Sequence, residues 1–233
     1  MCGRATLSTP PEELAEIFGL DEVPLLTAHY NLAPSQDMAV VRVVPAERGR
    51  KLDLLRWGLV PWWAEDPKIG SRFINARADT LLESRAFREA ARERRCIVVV
   101  DGFYEWQRHG KRKQPFLVRR RDGKPFALAG VWERWKPKGA PREAPRLQTC
   151  SIVTVDSQAE VLRLHDRMPL ILPPDEWDAW LDPGNRSPDT IAPLLERHEA
   201  EVVVYPVSDR VNSPKNDDVS CIEPIVEPTL FPV

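Results

Sequence analysis

Cysteine is scarce and scattered: Cys2, Cys96, Cys150 and Cys221 are the four in the chain, and no two form a C-x-x-C pair. A zinc or iron–sulfur centre therefore has no ligand framework, and free thiols are expected in a reducing compartment. No G-x-G-x-x-G, G-x-x-x-x-G-K-[ST] or G-x-S-x-G occurs, which removes support for dinucleotide-binding, P-loop and serine-hydrolase folds. No apolar run approaches the roughly 18 residues of a membrane span. No basic segment followed by an apolar stretch opens the chain, so an intracellular protein without a membrane partner is expected. Charge of one sign is also lacking. The 33 Lys plus Arg nearly cancel the 35 Asp plus Glu, for a net −2, which excludes a histone-like polycation. Arginines nonetheless cluster at Arg92, Arg94 and Arg95 and at Arg119, Arg120 and Arg121. No internal repeat is present.

What is there is a core. Hydrophobic residues make up 42% of 233 positions, and the 23 prolines are spread along the chain rather than gathered in a linker. That combination suits one domain with many turns. A helix is predicted over Pro11–Phe18, capped by Ser8 or Thr9 and ended by Gly19. Strands are predicted over 38–44, 52–57, 96–100, 149–155, 169–172 and 201–205. Hairpins are predicted to turn at His109-Gly110 and Asp122-Gly123, and helices to cover 84–94, 156–164, 174–181 and 188–198. The tail from about 213 reads as extended. Strands and helices mix without βαβ alternation, so the fold class is α+β with mainly antiparallel sheets. Cys96 and Cys150 each border an apolar run and read as core.

Four constellations can carry chemistry. In Met1-Cys2-Gly3-Arg4, removal of Met1 leaves an amine and a thiol on neighbouring carbons. Their reference pKa values, about 7.7–8.0 and about 8.5, leave usable fractions of both nucleophiles near neutral pH. Such a pair converts an aldehyde to a Schiff base and then to a thiazolidine; a Cys at position 2 can equally be incidental. Asp101-Gly102-Phe103-Tyr104-Glu105-Trp106 places Glu105 among aromatics at a strand end, where desolvation suits a general acid–base, unless Glu105 simply faces water. His165-Asp166-Arg167-Met168-Pro169 sets His165 between a helix and a strand, where it could protonate a leaving oxygen or be structural, with Asp166 or Arg167 solvated. Asn75 and Arg77 offer amide and guanidinium ligands. Trp57, Trp62 and Trp63 lie just upstream, and tryptophans beside arginines form platforms for single-stranded nucleic acid. Core and stacking are equally open for Trp62 and Trp63, while Trp57 reads as core.

Taken in order, Met1-Cys2-Gly3-Arg4, Tyr30-Asn31-Leu32-Ala33-Pro34, Trp57 through Trp63, Asn75-Ala76-Arg77, Asp101 through Trp106 and His165 through Pro169 resemble the SRAP family of abasic-site-processing proteins. Val207-Ser208, Val211-Asn212 and Lys215-Asn216 also fit it. The resemblance covers nearly the whole chain and implies one domain over 1–233, in which curved sheets form a partly closed barrel with flanking helices beside a DNA groove. It implies that Cys2 joins covalently to an abasic site in single-stranded DNA, that Asn75, Glu105 and His165 complete the catalytic set, and that Arg4, Asn31, Trp62, Trp63, Arg77, Arg85 and Arg167 contact DNA. A monomer acting in the DNA-damage (SOS) response on single strands and single-strand/duplex junctions, without metal or cofactor, is expected. Lyase-like and autopeptidase activities belong to the same picture. Two other readings compete: a thiol peptidase using Cys2, Glu105 and His165, and a non-covalent single-strand-binding module.

Overall fold

The structure, a computed structural model, describes residues 2–43, 49–110 and 112–225. Twelve strands run through the described residues: β1 (Ala5–Leu7), β2 (His29–Leu32), β3 (Asp37–Arg42), β4 (Lys51–Trp57), β5 (Asn75–Arg77), β6 (Arg95–Val100), β7 (Gly102–His109), β8 (Arg112–Arg120), β9 (Phe126–Trp135), β10 (Leu147–Asp156), β11 (Arg167–Pro169) and β12 (Val202–Pro206). The helices are short: α1 (Pro11–Phe18), α2 (Arg88–Glu93), α3 (Ala159–Leu162), α4 (Trp177–Leu181) and α5 (Pro188–Ile191).

The strands form two sheets. One has the order β12-β8-β7-β1-β2 with every neighbour antiparallel. In the other, β10-β4-β3-β6-β9 returns to β10 and closes a five-stranded barrel, whose one parallel seam joins β4 to β10. Closure removes the exposed edges that would invite aggregation. The long strand β10 outruns the ring. Its Ile152 sits between Asn75 of β5 and Gly130 of β9, and its Thr154 between Arg77 of β5 and Pro169 of β11. The α+β class read from the sequence and the mainly antiparallel barrel implied by the resemblance are what the structure has, and hydrogen bonding carries the ring all the way round.

Packing explains the sequence pattern. Every residue of β6 is buried, because one face points into the barrel and the other meets α2 and α4; a strand covered on both sides reads as a continuous apolar run. Arg95, at its start, donates to the carbonyls of Ala91, Arg92, Trp180 and Asp182 at 2.6 to 3.1 Å. One guanidinium thus satisfies the carbonyls left over at the ends of both helices. Cys96, Cys150 and Trp57 are core, as read from the sequence.

Several expectations need correction. Pro10, not Ser8 or Thr9, occupies the cap position of α1. Asp101 holds that turn from across the molecule, accepting from the amides of Ser8 and Thr9 at 2.6 and 3.0 Å and from both hydroxyls. The first hairpin forms, with His109 opposite Arg112. The second does not: β8 and β9 flank Asp122-Gly123 but belong to different sheets. The turn carries the chain from sheet to barrel. The helices expected over 84–94 and 156–164 shrink to α2 and α3, and residue 44 and residues 226–233 lie outside the described part. Strands β1, β2 and β5, three or four residues each, gave no periodic signal.

Gly58 and Gly70 set the loop that follows the barrel. Gly58 has φ +119°, and a Cβ there would lie 2.7 Å from the Gly70 carbonyl oxygen; a Cβ on Gly70 would lie 2.5 Å from that of Gly58. Only two glycines let the backbones approach so closely. Their contact folds residues 59–70 back against the end of β4, with Trp63 packed against Val60, Ala64 and Trp135.

Candidate active site

Strand β1 lies between β2 and β7, pairing Ala5 with Phe103, and the Tyr104 amide donates to the Arg4 carbonyl at 3.0 Å. Continued two places outward, this ladder sets Gly3 opposite Glu105. From the barrel side Asn75, first residue of β5, donates its Nδ2 to the Cys2 carbonyl at 2.7 Å. A parallel ladder fixes Asn75 beside Ile152, so the two sheets meet at Cys2. The Asn75 Oδ1 is buried without a protein partner among the described residues. A buried carbonyl oxygen with no donor costs about 1–3 kcal/mol, which sets an acceptor waiting beside Cys2.

Burial governs the chemistry here. Glu105 is 3% exposed, and desolvation raises its pKa to about 7. It can therefore both take and give a proton near neutrality. Cys2 is fully buried. Desolvation, and then the nearby Glu105 carboxylate, push its thiol well above the ordinary range. The reference value used in the sequence reading does not hold at this position: the thiol needs a base to take its proton when it reacts.

His165 follows α3, with its side chain 32% exposed. Its Nδ1 lies 3.0 Å from the Arg167 amide and 2.7 Å from Asp166 Oδ1. Its pKa is lowered, first by desolvation and next by the charge of the amino terminus, while Asp166 acts in the opposite sense.

The residues expected to meet DNA fall into different surroundings. Trp62 is 60% exposed. Trp63 is half-buried, with the exposed Arg85 guanidinium 4.6 Å above its ring, a cation–π contact. Arg77 is exposed but forks onto Asp79, one of its bonds being 3.0 Å long. Arg167 is 9% exposed, donating to Asp156 at 2.8 Å and to the Thr154 carbonyl at 2.5 Å. Arg4 donates from one Nη1 to Asn31 Oδ1 at 2.7 Å and to the Val211 carbonyl at 2.6 Å. Asn31 is 1% exposed. Its amide donates to the carbonyls of Val211, Ser213 and Asn216, while Asp217 accepts from the Tyr30 and Asn31 amides at 2.5 and 2.9 Å. Arg4 and Asn31 thus bind residues 211–217 as a strap over β1 and β2, a use for the tail that composition did not show. The sequence reading also passed over Asp79 and Asp156, the carboxylates that hold Arg77 and Arg167. Asp79 stands two residues from Arg77, the one local signal that could have been used.

Among the described residues no helix is long and apolar enough to cross a membrane, and no group of three His, Cys, Asp or Glu is placed to hold a metal.

Abasic site processing protein YoqW of Bacillus subtilis (strain 168) is 41% identical over 96% of this chain and 99% of its own. Abasic site processing protein HMCES of Gallus gallus is 35% identical over 73% of this chain and 56% of its own. A solved structure of a protein from Bacteroides thetaiotaomicron superposes with a TM-score of 0.84 at 26% identity, covering 97% of this chain and 100% of that one. The family profile described as SOS response associated peptidase (SRAP) matches residues 1–214. The chain belongs to the SRAP family.

Proposed function

We propose that this protein processes abasic sites in single-stranded DNA, at single-strand/duplex junctions as well, by joining its N-terminal Cys2 to the lesion as a thiazolidine once Met1 has been removed. The observation that carries the proposal is the meeting of Cys2, Asn75 and Glu105: a buried residue at position 2, gripped at its carbonyl by Asn75 and facing a carboxylate tuned to about 7. The relatives' names describe abasic-site processing, which agrees with this chemistry.

The opened sugar presents an aldehyde. The Cys2 amine adds to C1′, with its lone pair forming the C–N bond. The Glu105 carboxylate carries the extra proton from nitrogen to the former carbonyl oxygen, making a hydroxyl, and then carries the second nitrogen proton to that hydroxyl, so that water leaves and the Schiff base forms. The thiol then adds to the imine carbon, and its proton reaches the imine nitrogen through Glu105. Asn75 holds the residue so that amine and carbon meet at high effective molarity, and its free Oδ1 suits the amine or a sugar hydroxyl. His165 assists opening of the sugar ring. No step calls on a metal or cofactor. Trp62 and Trp63 offer faces to neighbouring bases, Arg77 and Arg85 offer charge to phosphates, and Arg4, Asn31 and Arg167 hold the walls of the groove. The protein acts as a monomer inside the cell, at the damaged chromosome.

A peptidase reading of the same residues fares less well. Thiol peptidases attack with a thiolate, whereas burial keeps this thiol protonated. Self-cleavage of the Met1–Cys2 bond is the one peptide hydrolysis that the position suits. The test is to incubate the Met1-processed protein with an oligonucleotide carrying one abasic site and to run a denaturing gel. A heat-stable protein–DNA band formed without reductant, absent in Cys2→Ala and in protein whose α-amine is blocked, is expected. A processed protein that gives no band has a different function. A band in Cys2→Ala would show that another residue reacts.

A further inference from the structure

Asp166 has no part in the chemistry above, yet three elements of the site feel its charge. It acts on Glu105 of β7, on Arg77 of β5 and on the imidazole of His165. Its backbone is fixed: the Ser157 amide donates to the Asp166 carbonyl at 2.9 Å, and the next residue, Arg167, pairs with Asp156 in the β10–β11 ladder. Its side chain is 81% exposed, so it stands between solvent and the imidazole.

The contacts at His165 exclude one another. An imidazole nitrogen carries in its ring plane either a lone pair or a hydrogen. The Arg167 amide, 3.0 Å from Nδ1, needs the lone pair. The Asp166 carboxylate lies 2.7 Å from the same atom as an ion pair and not as a hydrogen bond, and a bond to it would need the hydrogen. If the amide wins, the ring is neutral with its only proton on Nε2; giving that proton away would leave an imidazolate, which is too basic to form at neutral pH. If the carboxylate wins, Nδ1–H stays on Asp166, and a ring that also carries Nε2–H can give that proton away and remain a neutral imidazole.

We propose that Asp166 is a positioning residue for the reaction at Cys2: by holding Nδ1–H of His165 against the competing Arg167 amide, it keeps the ring in the form whose Nε2–H can be delivered to the sugar. The proposal rests on the abasic-site reading above. In ring opening, the Nε2 proton passes to O4′ as the C1′–O4′ bond breaks, and the C1′ hydroxyl proton passes to the Glu105 carboxylate. An aldehyde, a 4′-hydroxyl, a neutral imidazole and a protonated Glu105 result. The charge of Arg167 opposes the imidazolium, and burial opposes it more. Asp166 is the group that offsets them.

The experiment uses the full-length processed protein, parent and Asp166→Asn, at saturating protein so that affinity does not enter. Single-turnover cross-linking is timed on two oligonucleotides: one with a natural abasic site, the other with an aldehyde analogue lacking the 4′-hydroxyl, which cannot close a ring. Asp166→Asn is expected to be at least tenfold slower on the natural lesion and equal to the parent on the ring-free aldehyde, with Asp166→Glu recovering part of the loss. Nitrogen NMR of His165 in Asp166→Asn should show the proton confined to Nε2 and the ring's titration moved to lower pH. Equal rates on the natural lesion, or equal slowing on both aldehydes, would overturn the role. If the parent itself forms no cross-link, the abasic-site reading fails and this inference with it; if the parent cross-links and Asp166→Asn matches it, this inference fails alone.

Discussion

Cys2 and Glu105 lie in the dry interior, at 0% and 3% exposure, whereas Trp62, at 60%, stands in water, and Arg77 and Arg85 stand there with it. Resemblance assigns both groups to one site, but they obey different physics. In the interior, desolvation decides which protons are held, and a substitution acts on chemistry. At the rim, charges are screened and flexible, and a substitution acts on affinity. Arg4, Asn31 and Arg167 were expected with the rim, yet the hydrogen bonds of the Arg4 and Arg167 Nη atoms and of the Asn31 amide go to protein, in the manner of the interior. The difference teaches that a residue's place in a motif fixes its neighbourhood and leaves its task to burial.

Glu105 gives the largest way to break this comparison. Glu105→Gln cannot shuttle protons, and cross-linking at pH 7.5 should fall by about 10²–10⁴-fold while affinity for intact single strands is kept. Stability should move the opposite way. The folded carboxyl titrates near 7 against an ordinary 4.5, so between those values the folded state holds more protons than the unfolded state. Stability is then lost as pH rises through that window. Glu105→Gln should melt above the parent at pH 8, and the gap should close by pH 4. A variant that melts no higher than the parent at pH 8 would show Glu105 to be well solvated. In the parent, the cross-linking rate on a ring-free aldehyde should rise as pH passes through about 7, as Glu105 becomes ionised and can act as a base.

Asn31→Ala comes next, and it asks to which region Asn31 belongs. Removing its amide strands the Ser213 carbonyl, leaves the Val211 carbonyl with Arg4 and the Asn216 carbonyl with the Cys221 thiol, and takes one contact from Arg4. Each buried group so orphaned costs about 1–3 kcal/mol. The expected outcome is a lower melting temperature and earlier proteolysis within residues 207–221. An unchanged melt with weaker DNA binding would instead make Asn31 a DNA contact.

How far the sequence revealed the two regions follows from the length of the elements that carry them. Strands β3, β4, β6, β9 and β10 have six to ten residues, enough for apolar runs to reveal strands, while their closure into a barrel was implied by the resemblance alone. Cys2, Asn31 and Asn75 sit on or beside β1, β2 and β5, which are too short to show any period. Their meeting depends on ladders between residues up to 98 positions apart, such as Ala5 with Phe103, and no local pattern encodes that. Glu105 was legible as a carboxylate among aromatics, but whether it faced water was not: that depends on how β7 packs beside β1, a strand 98 positions away in sequence. The strap was invisible because Asn31 and Asp217 bind it through backbone groups, which leave no trace in side-chain composition. Asp122-Gly123 misled for a similar reason. A turn dipeptide fixes a local reversal, and which sheet receives the next strand is settled by the core.

Trp62→Ala should weaken binding to single strands by about 1–3 kcal/mol if one base stacks on the ring. An indole that is 60% exposed adds little to folding, so the melt should stay put. Arg85→Ala should lower the salt dependence, reducing the log–log slope by about 0.7 for one phosphate lost on a single strand. If Trp62→Ala lowers the melting temperature and leaves affinity alone, Trp62 belongs with the interior.

The smallest effect sharpens the border between the regions. Asp79 holds the Arg77 guanidinium through two bonds and approaches Arg167 at 4.0 Å. A phosphate that uses Arg77 must therefore compete with a carboxylate already in place. Asp79→Asn removes the competing charge but keeps the shape, and affinity for single strands should rise a few-fold at low salt. The gain should fade as salt is added, because an exposed pair is screened within about 10 Å at 0.1 M. Cross-linking at saturating protein should not change, since Asp79 touches none of the reacting groups. Weaker DNA binding in Asp79→Asn would mean that Asp79 orients Arg77 toward phosphate rather than shielding it. Arg77 would then be preorganised by the interior rather than free at the rim.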